Sequence, residues 1–190
     1  MPDRAIAFGN RPGKPLVSLD ERTELSQTLN ITIELKNLEH TSRFVGVLEA
    51  LLVPGQFLAL CGDLGAGKTT ISRFLTERLK SHTLATSPTF SLFQEYEGGR
   101  MDVLHADLYR LGSEDELFDL GWDELLHRMK TGLVIVEWAD KFPDSWPQDY
   151  LRMDCEYGPA DDDMRLIRMS AKGERSETCL FELKKAWFKS

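Results

Sequence analysis

The 190-residue sequence predicts an α/β fold: a mainly parallel sheet flanked by helices, with antiparallel strands at its edges. Three observations carry that prediction. A short apolar run, Gln56-Phe57-Leu58-Ala59-Leu60-Cys61, leads into a glycine-rich loop, Gly62-Asp63-Leu64-Gly65-Ala66-Gly67-Lys68-Thr69. That loop leads into Thr70 to Lys80, whose apolar residues recur at helical spacing. A second run, Leu133-Val134-Ile135-Val136, is apolar without alternation, as expected of a strand covered on both faces in a parallel sheet.

The remaining elements follow in chain order. Residues 1 to 28 are polar and punctuated by Pro and Gly, and read as a flexible N-terminal extension; residues 29 to 190 read as one domain. Leu29 to Leu35 alternates strictly and predicts a strand. Thr41 to Leu52 has apolar residues at Phe44, Val45, Val47, Leu48, Leu51 and Leu52, predicts a helix, and is ended by Pro54-Gly55. Phe90 to Tyr96 and Met101 to Ala106 are strand-like runs, and Glu97-Gly98-Gly99 between them predicts a hairpin. Ser113-Glu114-Asp115-Glu116 has the form of a capping box and opens a short helix. Gly121 to Met129 suggests another. In the last third, Tyr150 to Glu156 and Met164 to Met169 add edge strands, and Leu180 to Phe188 a closing helix.

The glycine loop fits G-x-x-x-x-G-K-[ST], which marks a P-loop NTPase-type fold that binds a nucleoside triphosphate. Each residue type has a reason. Gly62 turns off the strand, and Gly65 and Gly67 carry no Cβ, so backbone N–H groups around Leu64, Ala66 and Thr70 can close on phosphate oxygens at a helix N-terminus. Lys68 reaches the β- and γ-phosphates, and Thr69 offers its hydroxyl to a magnesium ion. A carboxylate inside such a cradle would repel the ligand, so Asp63 takes a structural role with its side chain turned away.

A triphosphate site also needs an acid near its metal. Val103-Leu104-His105-Ala106-Asp107 and Leu133-Val134-Ile135-Val136-Glu137 each end in one, at the sheet edge where α/β proteins bind ligands. A strand-end acid against an apolar run costs desolvation unless it meets a cation or hydrogen bonds. Asp107 and Glu137 are therefore both candidates, and the residues alone do not divide metal binding from water positioning between them.

Composition narrows the class. The formal net charge of −8 argues against a basic face that grips nucleic acid directly. No window approaches the roughly 18 apolar residues of a membrane span, and the N-terminus lacks the pattern of a secretory signal. Cys61, Cys155 and Cys179, an odd number without metal-ligand spacing, suit a reducing, cytoplasmic setting.

These residues resemble the bacterial TsaE (YjeE) family, the small P-loop ATPase of tRNA threonylcarbamoyladenosine synthesis, over about residues 38 to 173. The phosphate loop is similar through Thr70, Asp63 included. Ser87-Pro88-Thr89-Phe90 is similar to the family's switch-like loop, and His105-Ala106-Asp107-Leu108-Tyr109-Arg110-Leu111 and Val136-Glu137-Trp138 follow in the family's order. Trp146-Pro147, Leu151 to Asp154, and Arg165 before Ala171-Lys172-Gly173 extend the likeness. The resemblance implies ATP and Mg²⁺ as ligands. It implies that Lys68 contacts phosphates, that Thr69 and Glu137 hold magnesium, that Asp107 serves hydrolysis, and that Thr89 senses the γ-phosphate. Trp138 would lie beside the site, Arg165 would approach the nucleotide, and Leu38-Glu39-His40-Thr41, before the first helix, would lie near the base. It further implies TsaB and TsaD homologues as partners, with tRNA reached through them and the ATPase resetting their complex between rounds.

The sequence departs from the family in its longer start before residue 29 and in Asp161-Asp162-Asp163 just ahead of Arg165. The guanine-reading pattern N-K-x-D is absent, which favours ATP. Two other readings use the same cradle: a small-molecule kinase with Asp107 as base, and a non-catalytic switch in which ATP orders residues 87 to 90.

Overall fold

The structure, a computed structural model, describes residues 29–79, 92–159 and 163–189. The flexible extension expected at residues 1–28, the Ser87 to Phe90 loop with Thr89, and Asp161-Asp162 lie outside the described residues. The strands are β1 (Asn30–Leu35), β2 (Gln56–Cys61), β3 (Phe93–Tyr96), β4 (Val103–Asp107), β5 (Leu133–Glu137), β6 (Tyr150–Tyr157) and β7 (Arg165–Lys172). The helices are α1 (Leu38–Leu51), α2 (Lys68–Arg78), α3 (Glu114–Asp119), α4 (Trp122–Arg128) and α5 (Glu174–Phe188).

The seven strands among the described residues form one sheet in the order β1-β7-β6-β2-β5-β4-β3. The pairs β2–β5, β2–β6 and β4–β5 are parallel, and β1–β7, β6–β7 and β3–β4 are antiparallel. The expected α/β class therefore holds, a parallel centre with antiparallel flanks. One placement differs. The sequence reads Tyr150 to Glu156 as an edge strand, but β6 pairs directly with the loop-bearing strand β2, and β7 and β1 lie outside it. Its alternating burial reflects shallow cover on one face, not an edge position.

Strand β2 is buried at all six positions, because its two faces meet two cores. Leu58 and Leu60 pack with Leu133 and Ile135 beneath α1, α2 and α5. Phe57 and Ala59 pack with Val134, Val136 and the fully buried Trp122 on the opposite face. The period-two alternation of strands assigns every residue of β4 and β5 to one side or the other. By that rule His105, Asp107 and Glu137 share the side of Val103, Leu133 and Ile135, which is the side covered by α2.

Helix boundaries show what local pattern reading misses. Helix α1 begins at Leu38, three residues before the apolar periodicity, because the Asn37 side chain accepts the His40 N–H at 2.9 Å and caps the first turn. Ser113 caps α3 as the box predicts, accepting the Glu116 N–H at 3.3 Å. Glu116 reaches back one residue further than the box requires and accepts the N–H of Gly112 at 3.0 Å. Helix α5 starts at Glu174, where Asp149 accepts the backbone N–H groups of Arg175 and Ser176, each at 3.0 Å.

Candidate nucleotide site

Three of the four mutually parallel strands, β2, β4 and β5, end at one edge of the sheet, and that edge collects the candidate residues. Asp107 stands opposite Glu137, and Glu137 opposite Leu60, the penultimate residue of β2. The glycine loop leaves β2 here and enters α2 at Gly67, whose φ of 103° places the first helical residue at Lys68. Helix α2 therefore begins two residues ahead of the apolar pattern, and its N-terminus faces the strand ends. At Gly62, with φ of 119°, an added Cβ would collide with the carbonyl oxygen of Cys155 on β6. At Gly65 it would collide with the Tyr157 hydroxyl, which donates to the carbonyl of Leu64 at 2.8 Å. The backbone is thus held close against β6, leaving a shallow cradle without side chains in its floor.

Lys68 is 4% exposed, and its Nζ donates to the carbonyls of Gly62 at 2.6 Å and Asp63 at 2.7 Å. The ammonium also sits 3.7 Å from the ring centre of Trp138, an attraction between cation and ring face. Burial pushes the Lys68 pKa down, with nearby acids, Glu137 among them, acting against that shift. Asp63 is exposed, and its backbone carbonyl serves the loop by accepting from Lys68 and from the Ala66 N–H at 3.2 Å. Trp138 is the sole non-glycine residue with positive φ among the described residues, at 58°. That left-handed turn, directly after β5, lays its ring over Lys68 and 4.9 Å from the ring of Tyr109.

Glu137 is 1% exposed and accepts three hydrogen bonds. Thr69 Oγ1 donates to Oε2 at 2.5 Å, Ser72 Oγ donates to Oε1 at 2.7 Å, and His105 Nε2 meets Oε1 at 2.8 Å. Burial alone would raise its pKa, but the bonds from His105, Thr69 and Ser72 outweigh it and hold the carboxyl below its usual value. Asp107 differs. Half-buried, with Oδ1 accepting, among the described residues, the Tyr109 N–H at 3.0 Å, it is pushed up by burial and by the charge of Glu137. Two acids side by side are thus driven apart, one firmly ionised and one poised higher.

The structure brings Lys68, Thr69, Asp107, Glu137 and Trp138 together. Arg165, on β7, reaches the loop from the other side: its Nε donates to the Gly65 carbonyl at 3.3 Å, and its guanidinium lies 4.6 Å from the Tyr157 ring centre. Next to it opens a cavity of about 450 Å³ between the loop and the start of α1, with Leu35, Asn37, Leu38, Thr41, Gly67 and Ile167 among its walls. Leu38, Glu39 and Thr41 line it, as part of the first turn of α1 and not of a loop before it; His40 does not. Thr70 also borders this cavity. The cysteines are all buried, and burial pushes Cys61 and Cys155 up to about 12 and Cys179 up to about 11, so none is a reactive thiolate near neutrality.

Sequence reading missed His105, Ser72 and Asn37. The signal for the first two was present: His105 lies two residues before Asp107 and so shares its strand face, and Ser72 lies three after Thr69 and so shares its helix face.

A glycine cradle at the C-terminal edge of a parallel sheet, a lysine and a threonine at the start of its helix, and an acid at the end of the neighbouring strand define a P-loop nucleotide-binding protein. Residues 35–166 match the family described as "Threonylcarbamoyl adenosine biosynthesis protein TsaE". The chain is 40% identical over 147 residues to the tRNA threonylcarbamoyladenosine biosynthesis protein TsaE of Bacillus subtilis, covering 77% of this chain and 89% of that protein. It is 33% identical over 145 residues to the protein of the same name from Rickettsia bellii, covering 76% and 97%. The crystal structure of Bacillus subtilis YdiB superposes with a TM-score of 0.66 at 31% identity, covering 84% of this chain and 97% of that one. The chain belongs to the TsaE family.

Proposed function

We propose that this protein is a cytoplasmic, Mg²⁺-dependent ATPase of tRNA N6-threonylcarbamoyladenosine biosynthesis, acting with TsaB and TsaD homologues so that their complex turns over repeatedly. The observation that carries the reading is the Thr69–Glu137 hydrogen bond across the mouth of the glycine cradle, the juxtaposition of hydroxyl and acid that a nucleotide-bound cation requires. Family membership supplies the pathway, and the net charge of −8 suits a protein that meets tRNA through its partners. No helix among the described residues is long and apolar enough to cross a membrane.

The site fits its ligands on its own chemistry. The Cβ collisions at Gly62 and Gly65 are with β6, so glycine lets the loop backbone pack against that strand, and the cavity beside α1 supports the reading by offering room for a nucleoside. Thr69 and Glu137 would hold Mg²⁺. Among the described residues no group of three His, Cys, Asp or Glu forms a metal site by itself, which suits an ion that keeps waters and takes substrate phosphate oxygens. A divalent cation held there would supply charge neutralisation to the triphosphate. Lys68 exchanges its loop carbonyls for phosphate oxygens. Asp107 orients the attacking water and accepts its proton as the water oxygen bonds the γ-phosphorus and the bond to the β-phosphate oxygen breaks, leaving ADP and phosphate. Arg165 braces the loop through Gly65.

The test is ATP hydrolysis with and without Mg²⁺, by the protein alone and with the TsaB–TsaD pair. Slow turnover alone, rising with the partners and lost in Glu137→Ala, is the expected result. An isolated rate that the partners leave unchanged would count against the assigned pathway.

A pH profile adds a second check. Because Asp107 must be ionised to act and its pKa is raised, turnover is present above that pKa and lost as the pH falls through it. The acid limb of kcat should therefore lie above the value of an ordinary aspartate, about 3.9. A limb at or below that value would remove Asp107 as the base.

A further inference from the structure

We propose that His105 and Ser72 are positioning residues that fix the Glu137 carboxylate, occupying Oε1 so that Oε2 alone is presented to Thr69 and to a nucleotide-bound divalent cation. This rests on the ATPase reading above and deepens it. A P-loop site calls for the hydroxyl at position 69 and the acid at the end of β5; it does not call for a histidine from β4 or a second hydroxyl from α2.

The geometry divides the carboxylate between two tasks. Both non-metal donors converge on Oε1, from Ser72 at 2.7 Å and from His105 at 2.8 Å, whereas Oε2 carries the Thr69 bond. Their surroundings fix the donors in turn. His105 is 3% exposed and its ring stacks on Tyr96, with centroids 6.5 Å apart and planes 29° apart. Ser72 is fully buried, and its hydroxyl also lies 3.1 Å from the Thr69 carbonyl, which ties its rotamer to the turn that carries Thr69. One proton from each side, the strand β4 and the helix α2, therefore sets the orientation of a carboxylate on β5 that a single bond would leave free to rotate. Such outer donors hold a ligand oxygen in place and keep it ionised, and their loss weakens metal affinity or activity by about 10–100-fold in other sites.

Two features distinguish this from a packing role. The role belongs to the N–H at Nε2, so a side chain that places an amide N–H near the same point restores it, while an apolar side chain of similar bulk does not. And the effect falls on the cation, leaving nucleotide binding without a divalent ion untouched.

The experiment titrates a fluorescent ATP analogue into the full-length protein in EDTA and over a range of Mg²⁺ concentrations, for wild type, His105→Leu, His105→Gln and Ser72→Ala, with melting temperatures alongside. The Mg²⁺ concentration giving half-maximal tight binding should rise about 10-fold or more in His105→Leu. It should return toward wild type in His105→Gln and rise by a smaller factor in Ser72→Ala, with affinity in EDTA the same in all four. An unshifted Mg²⁺ midpoint in His105→Leu, or His105→Gln as impaired as His105→Leu, overturns the proposal. If His105→Leu does not fold, Ser72→Ala decides by the same criterion, since it removes one oxygen atom. A wild type whose nucleotide binding ignores Mg²⁺ would sink the ATPase reading and this proposal with it; a wild type that responds, with variants that respond identically, sinks the positioning role alone.

Discussion

Replacing Gly62 with alanine is expected to abolish nucleotide binding and to lower the melting temperature by about 6–12 °C, the equivalent of about 3 kcal/mol in a domain of this size. Two costs combine. The residue holds φ at 119°, which side chains rarely adopt, and the new methyl would run into the Cys155 carbonyl on the adjacent strand β6. Neither partner has a flexible end to move. Relief would require parting β2 from β6 at the root of the loop, which carries Lys68 and its carbonyl partners with it. Gly121 supplies the control. It has φ of 78° but nothing among the described residues within 4 Å of an added Cβ, so Gly121→Ala should cost only backbone strain of about 1 kcal/mol and leave binding intact. Thermal melting and nucleotide titration of the two variants check this; equal behaviour would show that the close approach to β6 does not matter.

The second large effect is expected on turnover. Asp107→Ala should slow hydrolysis by about 10²–10⁴-fold, the usual worth of a positioned acid or base, while ATP affinity changes little. Asp107 sits opposite Glu137 in register, yet among the described residues its carboxylate accepts one hydrogen bond where that of Glu137 accepts three. Asp107→Asn sharpens the comparison, because it retains an acceptor for the Tyr109 N–H and so separates the structural contact from the chemistry. Single-turnover hydrolysis and binding titrations give both numbers. A non-catalytic switch would keep its partner activity in both variants, and a kinase would yield a phosphorylated small molecule in the wild type.

Much of this arrangement is legible in the sequence because it is local. The glycine loop follows its strand and precedes its helix within a few residues, and Asp107 and Glu137 are each announced by the apolar run before them. What escaped depends on residues far apart in the chain. The start of α5 carries the polar stretch Glu174-Arg175-Ser176-Glu177, and its cap is the side chain of Asp149, 26 and 27 residues before the two N–H groups it accepts. The place of β6 beside β2 is a matter of strand order, which no window of one strand encodes. His105 reads as one more residue of an apolar strand until β5 and α2 are packed around it, and only then is its partner defined.

The pairing of β1 with β7 carries a consequence for how the protein is made. Strand β1 leaves the ribosome well before β7, yet β7 is its neighbour in the sheet, in register from Asn30 opposite Ser170 to Leu35 opposite Arg165. The cavity wall built from Leu35, Asn37 and Leu38 therefore meets its other side, Arg165 and Ile167, only once β7 has been made. The glycine loop can form its local turn well before then, yet the cavity beside it closes only with β7, after a long-range contact of the kind that slows folding. A nascent chain would thus carry a recognisable phosphate loop without the means to retain a nucleotide, and ATP would reward completion of the fold without guiding its early steps.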